Sequence, residues 1–509
     1  MASTRFTLVA PLLMAVGAAA YFQVDLSTTN PKAFDFYTQE MDKEAYENHP
    51  FVGAIPWYPY SMAVDVGTPA QTQSMAITLS HGDSWILYSE LCEPISNPNF
   101  TAYSRNCSSG AFGQIESTTF RFNESDTFIS HYFDGWVDGM MMQDTVTLGD
   151  ATLEGASLGI ALQTHLDTGF FGLGTPWASP VSFTFEERAP MLDNLAAQGI
   201  INSAAFSMHA EVKGDTTGSL LFGAVDKSKF DGKLQSIQAS AGRDKFATSS
   251  HIEGRLDIST SYMANVSAVW RAESSGDEPK EYISTESIMY EGGGPFYAAI
   301  DPTFPFTNVP ENVAQPIYQI IKPSIWSNIG MYTVECNRTD LNVTMAFELG
   351  GEGGYRLNVT LQDLIVPPEV WHLVRPAQEE GDPEVTKHCL LGLQSTKRNQ
   401  MFFYEAYDNP TEWVIGGMML QKTYTVFDSV NMEVSFAPLK RDLSGKADIV
   451  SFESSGAHAP ESEIVGFEEC FKDCPEAKGD DEEGAGPAVV VQRGLAVTSL
   501  LTALGLVLG

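Results

Sequence analysis

A chain of 509 residues is longer than one hydrophobic core usually supports, and 43% hydrophobic with 11% aromatic residues can fill more than one. The formal net charge of −36, with no local basic patch, excludes nucleic acid and anionic lipid as electrostatic partners, because a polyanion is repelled by both.

Residues 1–20, MASTRFTLVAPLLMAVGAAA, carry one Arg, an apolar run and small residues at the end. This is the shape of a secretory signal with cleavage near Ala20. Secretion predicts that the cysteines pair. It also makes the sequons at Asn99, Asn106, Asn123, Asn265, Asn337, Asn342 and Asn358 credible glycan sites.

From Tyr60 the interior reads as short strands separated by turn signals, such as YSMAVDVG, TTFRFNE, QDTVTLGD and GSLLFGAVD, an all-β pattern. The stretch MAITLSHGDSWIL runs from an alternation at Met75, Ile77 and Leu79 into Thr78, Ser80, His81 and Asp83. Ser80 beside His81 is not expected to act as a nucleophile pair. Adjacent residues of an extended chain point to opposite faces, and a hydrolase triad is assembled from separated segments. The main helix candidate is PMLDNLAAQGI, where Met191, Leu192, Leu195 and Ile200 keep roughly helical spacing and Gly199 marks the stop. GGEGG at 350–354 lacks a strand-then-helix context and the histidines lack ligand spacing, so no cofactor or metal is expected.

After Phe436-Ala437 the apolar periodicity fades into a polar segment ending KGDDEEGAGP, and the chain closes on LAVTSLLTALGLVLG. Small residues at Gly484, Ala485 and Gly486, a spacer to Gly494 and the apolar tail fit a GPI-attachment signal, in which a lipid replaces the tail. The tail is short for a transmembrane helix, and no cytoplasmic basic residues follow it.

Six segments fall in a recognisable order: YSMAVDVGTPAQ, DTVTLGD, TGFFGLG, PMLDNLAAQGIINSAAFSM, TGSLLFGAVDKSKFDGKL and WVIGGMMLQKTYTVFDSVNMEVSFA. Together, from about Tyr60 to Ala437, they resemble the pepsin-like aspartic peptidases, and the layout is similar to that of fungal GPI-anchored members. The resemblance implies an all-β, bilobal pepsin-like (acid protease) fold with a peptide cleft between two lobes. The expected division is a signal peptide at 1–20, an N-terminal lobe with leader at 21–235, a C-terminal lobe at 236–440, an acidic stalk at 441–486 and a GPI-signal tail at 487–509.

The chemistry of that family needs two carboxylates sharing one proton, one as base toward water and one as acid toward the substrate carbonyl. Each lobe supplies one, in an Asp-Thr-Gly turn. In the first lobe the register runs eleven residues on from Gly67 and seven back from Trp85, and both land on Thr78. Thr78-Leu79-Ser80 therefore stands where the triplet belongs; a gapped alternative keeping Gly82 under the family glycine places Ser80 there. Neither supplies a carboxylate. Asp83 falls where the family often carries a surface Asp, and reads as a solvated turn residue. Asp167-Thr168-Gly169 spells the motif, yet the run to Gly174 matches a structural segment of the first lobe. In the second lobe the triplet reads Asp301-Pro302-Thr303, with the expected Pro310 nine residues after the Asp. Asp301 is retained in a turn that has lost a backbone N–H and a glycine.

ISHYFDGWVDGMMMQD resembles the family's flap, which implies Tyr132 at the flap tyrosine, Asp134-Gly135 at the hairpin turn, and Gly139 and Asp144 at matching later positions. Trp136 replaces a small residue there. The resemblance also implies one disulfide per lobe, Cys92 with Cys107 and Cys336 with Cys389, while the pairing of Cys470 and Cys474 stays open. Where the family carries a basic pro-segment, residues 21–59 hold Lys32 and Lys43 against Asp25, Asp35, Glu40, Asp42, Glu44 and Glu47, with no dibasic processing site.

The expectation is a secreted, glycosylated, GPI-anchored homologue at the extracellular face of the plasma membrane or the cell wall. It would be catalytically inactive and would bind peptide or protein in the cleft. The alternatives are an active aspartic endopeptidase with a non-standard site and a structural cell-wall glycoprotein.

Overall fold

The computed structural model describes residues 21–28, 60–92, 107, 109–132, 135–164, 166–175, 189–210, 218–241, 262–272, 278–283, 296–326, 331–366, 388–395 and 413–466. The signal and tail segments, Asn99, Asn106, Asp134, Cys470 and Cys474 lie outside these, and Asn123 and Tyr132 are described in backbone only.

Three large sheets carry the fold, as the bilobal all-β expectation requires. An eight-stranded sheet of the first lobe runs in the order 27–28, 60–66, 71–78, 169–172, 85–87, 151–164, 135–148, 121–132. The second lobe has a nine-stranded sheet whose main path is 355–360, 344–349, 262–272, 296–301, 413–416, 307–309, 393–395. Strands from both sequence halves build a seven-stranded sheet in the order 22–25, 219–222, 205–209, 423–428, 433–438, 234–238, 462–464.

Burial follows position in these sheets. The strand Gln71–Thr78 alternates at first and is then continuously buried from Met75 to Thr78, the stretch that runs beside Gly169–Gly172. Tyr355–Thr360, at a sheet edge, keeps strict alternation, with Tyr355, Leu357 and Val359 inward and Arg356 and Asn358 outward. The two expected disulfides, Cys92–Cys107 and Cys336–Cys389, are formed, with Cα separations of 5.7 Å and 5.0 Å.

The predicted helix spans Met191–Ala197 and stops earlier than its apolar spacing suggests. Gly199, at φ +72°, turns the chain so that Ile200 N–H donates to Leu195 O. A longer helix, Glu311–Ile321, buries Val313, Ala314, Ile317, Tyr318 and Ile321 along one stripe. Pro316 inside it obscures the helical signal in the sequence. Its carbonyl accepts a hydrogen bond from Tyr282 Oη at 2.9 Å.

The expected start of the acidic stalk at 441 needs correction. Ile449–Ser451 pairs antiparallel with Ala224–Asp226, and Ser462–Ile464 pairs in parallel with Leu234–Gln238. Between them Phe452 and Ala459 are buried in a cluster with Val225, Phe230, Leu234 and Tyr424. Residues 441–466 thus form a strap built into the fold. Its polar composition conceals this because only a few apolar residues, Ile449, Val450 and Phe452 among them, anchor it.

Candidate active site

The two segments that should carry the chemistry are built alike. Gln71–Thr78 lies parallel to Gly169–Gly172 with Thr78 opposite Gly172. Phe296–Asp301 lies parallel to Trp413–Gly416 with Asp301 opposite Gly416. Seven residues beyond each of these positions, the chain returns antiparallel to the same strand, through Trp85↔Phe170 and Asn308↔Val414. One residue earlier a hydroxyl receives the glycine N–H: Gly172 N donates to Ser84 Oγ at 3.0 Å and Gly416 N to Thr307 Oγ1 at 2.9 Å. A Cβ on Gly172 would meet the carbonyls of His81 and Asp83, and one on Gly416 those of Phe304 and Phe306, at the same offsets from Thr78 and Asp301. Both strands therefore need glycine where the loop folds back over them.

Inside these loops Thr78 and Asp301 occupy equivalent stations. Thr78 is 0% and Asp301 5% exposed, so neither is a surface residue. The N–H two residues on caps each side chain, Ser80 N to Thr78 Oγ1 at 3.2 Å and Thr303 N to Asp301 Oδ1 at 2.9 Å. The hydroxyl of that same residue also bonds it: Ser80 Oγ is 2.8 Å from Thr78 Oγ1, and Thr303 Oγ1 donates to Asp301 Oδ1 at 2.5 Å. Short polar side chains of either kind close such a turn, which is why threonine fits where aspartate would. Pro302 and Thr303 likewise leave the second turn closed, because the capping N–H belongs to Thr303 rather than to residue 302.

The chemistry of the two stations differs. Burial pushes the Asp301 carboxyl up to about 6, against the opposing pull of hydrogen bonds from the Thr303 side chain, the Thr303 N–H and the Phe304 N–H. Thr78 instead begins a chain of hydroxyls, with Ser80 Oγ 3.1 Å from His81 Nδ1. This corrects the expectation that Ser80 and His81 point apart: the chain bends at residues 79–80 instead of staying extended. Asp83 is half-buried rather than solvated, and its carbonyl lies over Gly172. Asp167 is half-buried too. Its neighbour Thr168 ties the turn to the first-lobe sheet by donating to Ser74 O at 2.9 Å, and Gly169 opens the strand beside Gln71–Thr78, so this Asp-Thr-Gly is a structural corner.

The flap expectation maps onto a long hairpin of Arg121–Tyr132 and Gly135–Leu148. Tyr132 pairs with Gly135, and this pair closes the hairpin. Further along, a Cβ on Gly139 would run into the Ile160 carbonyl, and buried Asp144 accepts from Thr119 Oγ1 at 2.6 Å and Thr145 N at 2.7 Å. Pro302 lines a small cavity with Tyr60, Met208 and Ala210, so the Asp301 loop abuts strands of the first half.

Known proteins agree with this architecture. The sequence model of the family described as eukaryotic aspartyl protease matches residues 59–439. The chain is similar to aspartic proteinase yapsin-3 of Saccharomyces cerevisiae, 23% identical over 82% of this chain and 73% of the relative. It is similar to barrierpepsin of the same yeast, 22% identical over 74% of this chain and 60% of the relative. A third relative, secreted aspartic protease 9 of Candida albicans, is 26% identical over 64% of this chain and 52% of its own length. The chain spans less than two thirds of the latter two. With two matching lobes, paired loops around Thr78 and Asp301 and a family match over most of its length, the chain belongs to the eukaryotic aspartyl protease family.

Proposed function

We propose that this protein binds peptide, or an extended segment of a protein, between its lobes without hydrolysing it. One observation carries the reading: Thr78 holds the station that Asp301 holds in the matching loop. A threonine hydroxyl does not ionise in the range where a carboxylate serves as base. Removing one positioned acid or base costs roughly 10² to 10⁴ in rate, and a pair acting as a unit loses almost everything when one member goes. Below about pH 6 the remaining Asp301 is protonated, so it can donate a hydrogen bond to a peptide carbonyl, which favours retention over cleavage.

The protein is also read as secreted, glycosylated and held at the cell surface by a GPI lipid. The disulfides Cys92–Cys107 and Cys336–Cys389 suit an oxidising compartment, and one relative carries "secreted" in its name. Asn337, Asn342 and Asn358 are exposed, as glycan sites must be.

A second reading, an acid endopeptidase working through Asp301 alone, draws on the peptidase names of the relatives and on the raised Asp301 pKa. Incubating the purified ectodomain with a peptide library from about pH 3 to 7 separates the two. Wild-type protein is expected to leave the library intact. Cleavage that disappears in Asp301→Ala overturns the binding-only reading. Calorimetry with peptides bearing a statine-type transition-state mimic is expected to give saturable heat, and its absence would favour a purely structural wall protein.

A further inference from the structure

We propose that an N-glycan on Asn358 is seated on the protein's own sheet, with its first N-acetylglucosamine against the exposed Arg356 guanidinium where that group stacks on Trp270. The proposal rests on the secreted-glycoprotein reading above and adds a specific partner surface to it.

Register places the parts. Across three adjacent antiparallel strands Trp270 is opposite Ala346, and Ala346 is opposite Asn358. Directly opposed residues share a face of the sheet, and Arg356 joins them two residues before Asn358. The other face is the core, formed by Val269, Met345, Phe347, Leu357 and Val359. The outward row therefore runs from the sequon at Asn358 across buried Ala346 to the indole of Trp270.

Arg356 is held in place on this face. Its guanidinium lies 3.9 Å from the Trp270 ring centroid, and its Nε is 3.4 Å from Glu348 Oε1. Glu348 is buried and also accepts from Ser267 Oγ at 3.0 Å. A fixed guanidinium offers planar N–H donors to the acetamido carbonyl of the sugar, whose C–H face suits the indole edge. Asn358 Nδ2 donates to Arg356 O at 3.1 Å; a glycosylated amide keeps one N–H, so it can retain this bond and keep the linkage close to the row.

The other described sequons lack such a seat. Asn337 and Asn342 lie between strands, in the connection from Met331–Glu335 to Thr344–Leu349. Asn265 is half-buried, its amide oxygen is fully covered, a strand pairs with it at Tyr297, and its carbonyl accepts from Gly350 N.

The test uses full-length protein secreted from a eukaryotic host. Glycopeptide mass spectrometry reads occupancy at Asn358 and at Asn342 or Asn337, after which peptide N-glycosidase F is applied to the native protein. Release at Asn358 is expected to be about tenfold slower than at the loop sequon, corresponding to about 1.4 kcal/mol of seating. Arg356→Ala should remove that protection, denaturation should equalise the sites, and deglycosylation should shift a tryptophan emission component that is absent in Trp270→Phe. Equal native release rates at occupied sites overturn the proposal. So does an unoccupied Asn358; if the loop sequons are then occupied, only the seat fails, and if none is, the glycoprotein reading fails with it.

Discussion

Thr78 and Asp301 perform the same task for their loops, each accepting the N–H two residues ahead and each touching the hydroxyl of that residue. What separates them is ionisation. If the proposed inactivity rests on this one side chain, Thr78→Asp should gain peptide cleavage at acid pH where the wild type is expected to give none, read by mass spectrometry of a peptide pool. No gain, in a variant shown to be folded, would mean that Ser80 or Pro302 also blocks the chemistry. Asp301 makes a separate prediction. Its folded pKa of about 6 lies above the ordinary 3.8, so the folded state holds this proton more tightly than the unfolded chain does. Its contribution is fully present below about pH 4 and is lost as pH rises through 6, in total roughly 3 kcal/mol. Urea unfolding at pH 3.5 to 7 should therefore show a steeper loss in wild type than in Asp301→Asn; parallel profiles would contradict the burial-driven shift. Thr78 was legible from sequence because two fixed spacings converge on it. The Ser80–His81 contact was not, because a bend set by tertiary packing cancels the alternation on which a strand reading depends.

At the scale of elements, the paired strands Gln71–Thr78 and Gly169–Gly172 admit no side chain at Gly172, and Trp413–Gly416 admits none at Gly416. Gly416→Ala should destabilise by about 3 kcal/mol, since the obstructing atoms are backbone carbonyls that cannot rotate away. Thermal unfolding unchanged from wild type would show that the loop yields. The strap from 441 to 466 makes a similar claim. Phe452 is 0% exposed, its N–H donates to Gly223 O and its carbonyl accepts from Asn202 Nδ2. Phe452→Ala should cost roughly 3–5 kcal/mol in denaturant titration, far more than a residue in a solvated stalk would. The strands from Tyr60 to Thr78 were legible because alternation and turn signals coincide there. The strap and the helix Glu311–Ile321 were not: one is anchored by few apolar residues, and the other carries a proline within its stripe.

For the whole molecule, 65 acidic against 29 basic side chains leave a net charge of −36, and self-repulsion of that size opposes compactness. Raising NaCl from about 20 to 300 mM at neutral pH should raise the unfolding temperature by several degrees, as screening shortens the reach of that repulsion. A flat response would mean that local ion pairs such as Lys422–Asp363 and Arg338–Asp340 already offset it.

Among the described residues, the outermost strands of the seven-stranded sheet are Phe22–Asp25 at one side and Ser462–Ile464 at the other. Tension applied to the chain beyond residue 466 would reach Ser462–Ile464 first. That strand is joined to Leu234–Gln238 by only three paired positions, Leu234↔Ser462, Gln235↔Glu463 and Ser236↔Ile464. It would peel before load reached the Phe452 plug, and well before any strain reached the loop holding Asp301. The strap is in this sense a mechanical fuse, yielding under tension while the space between the lobes keeps its form.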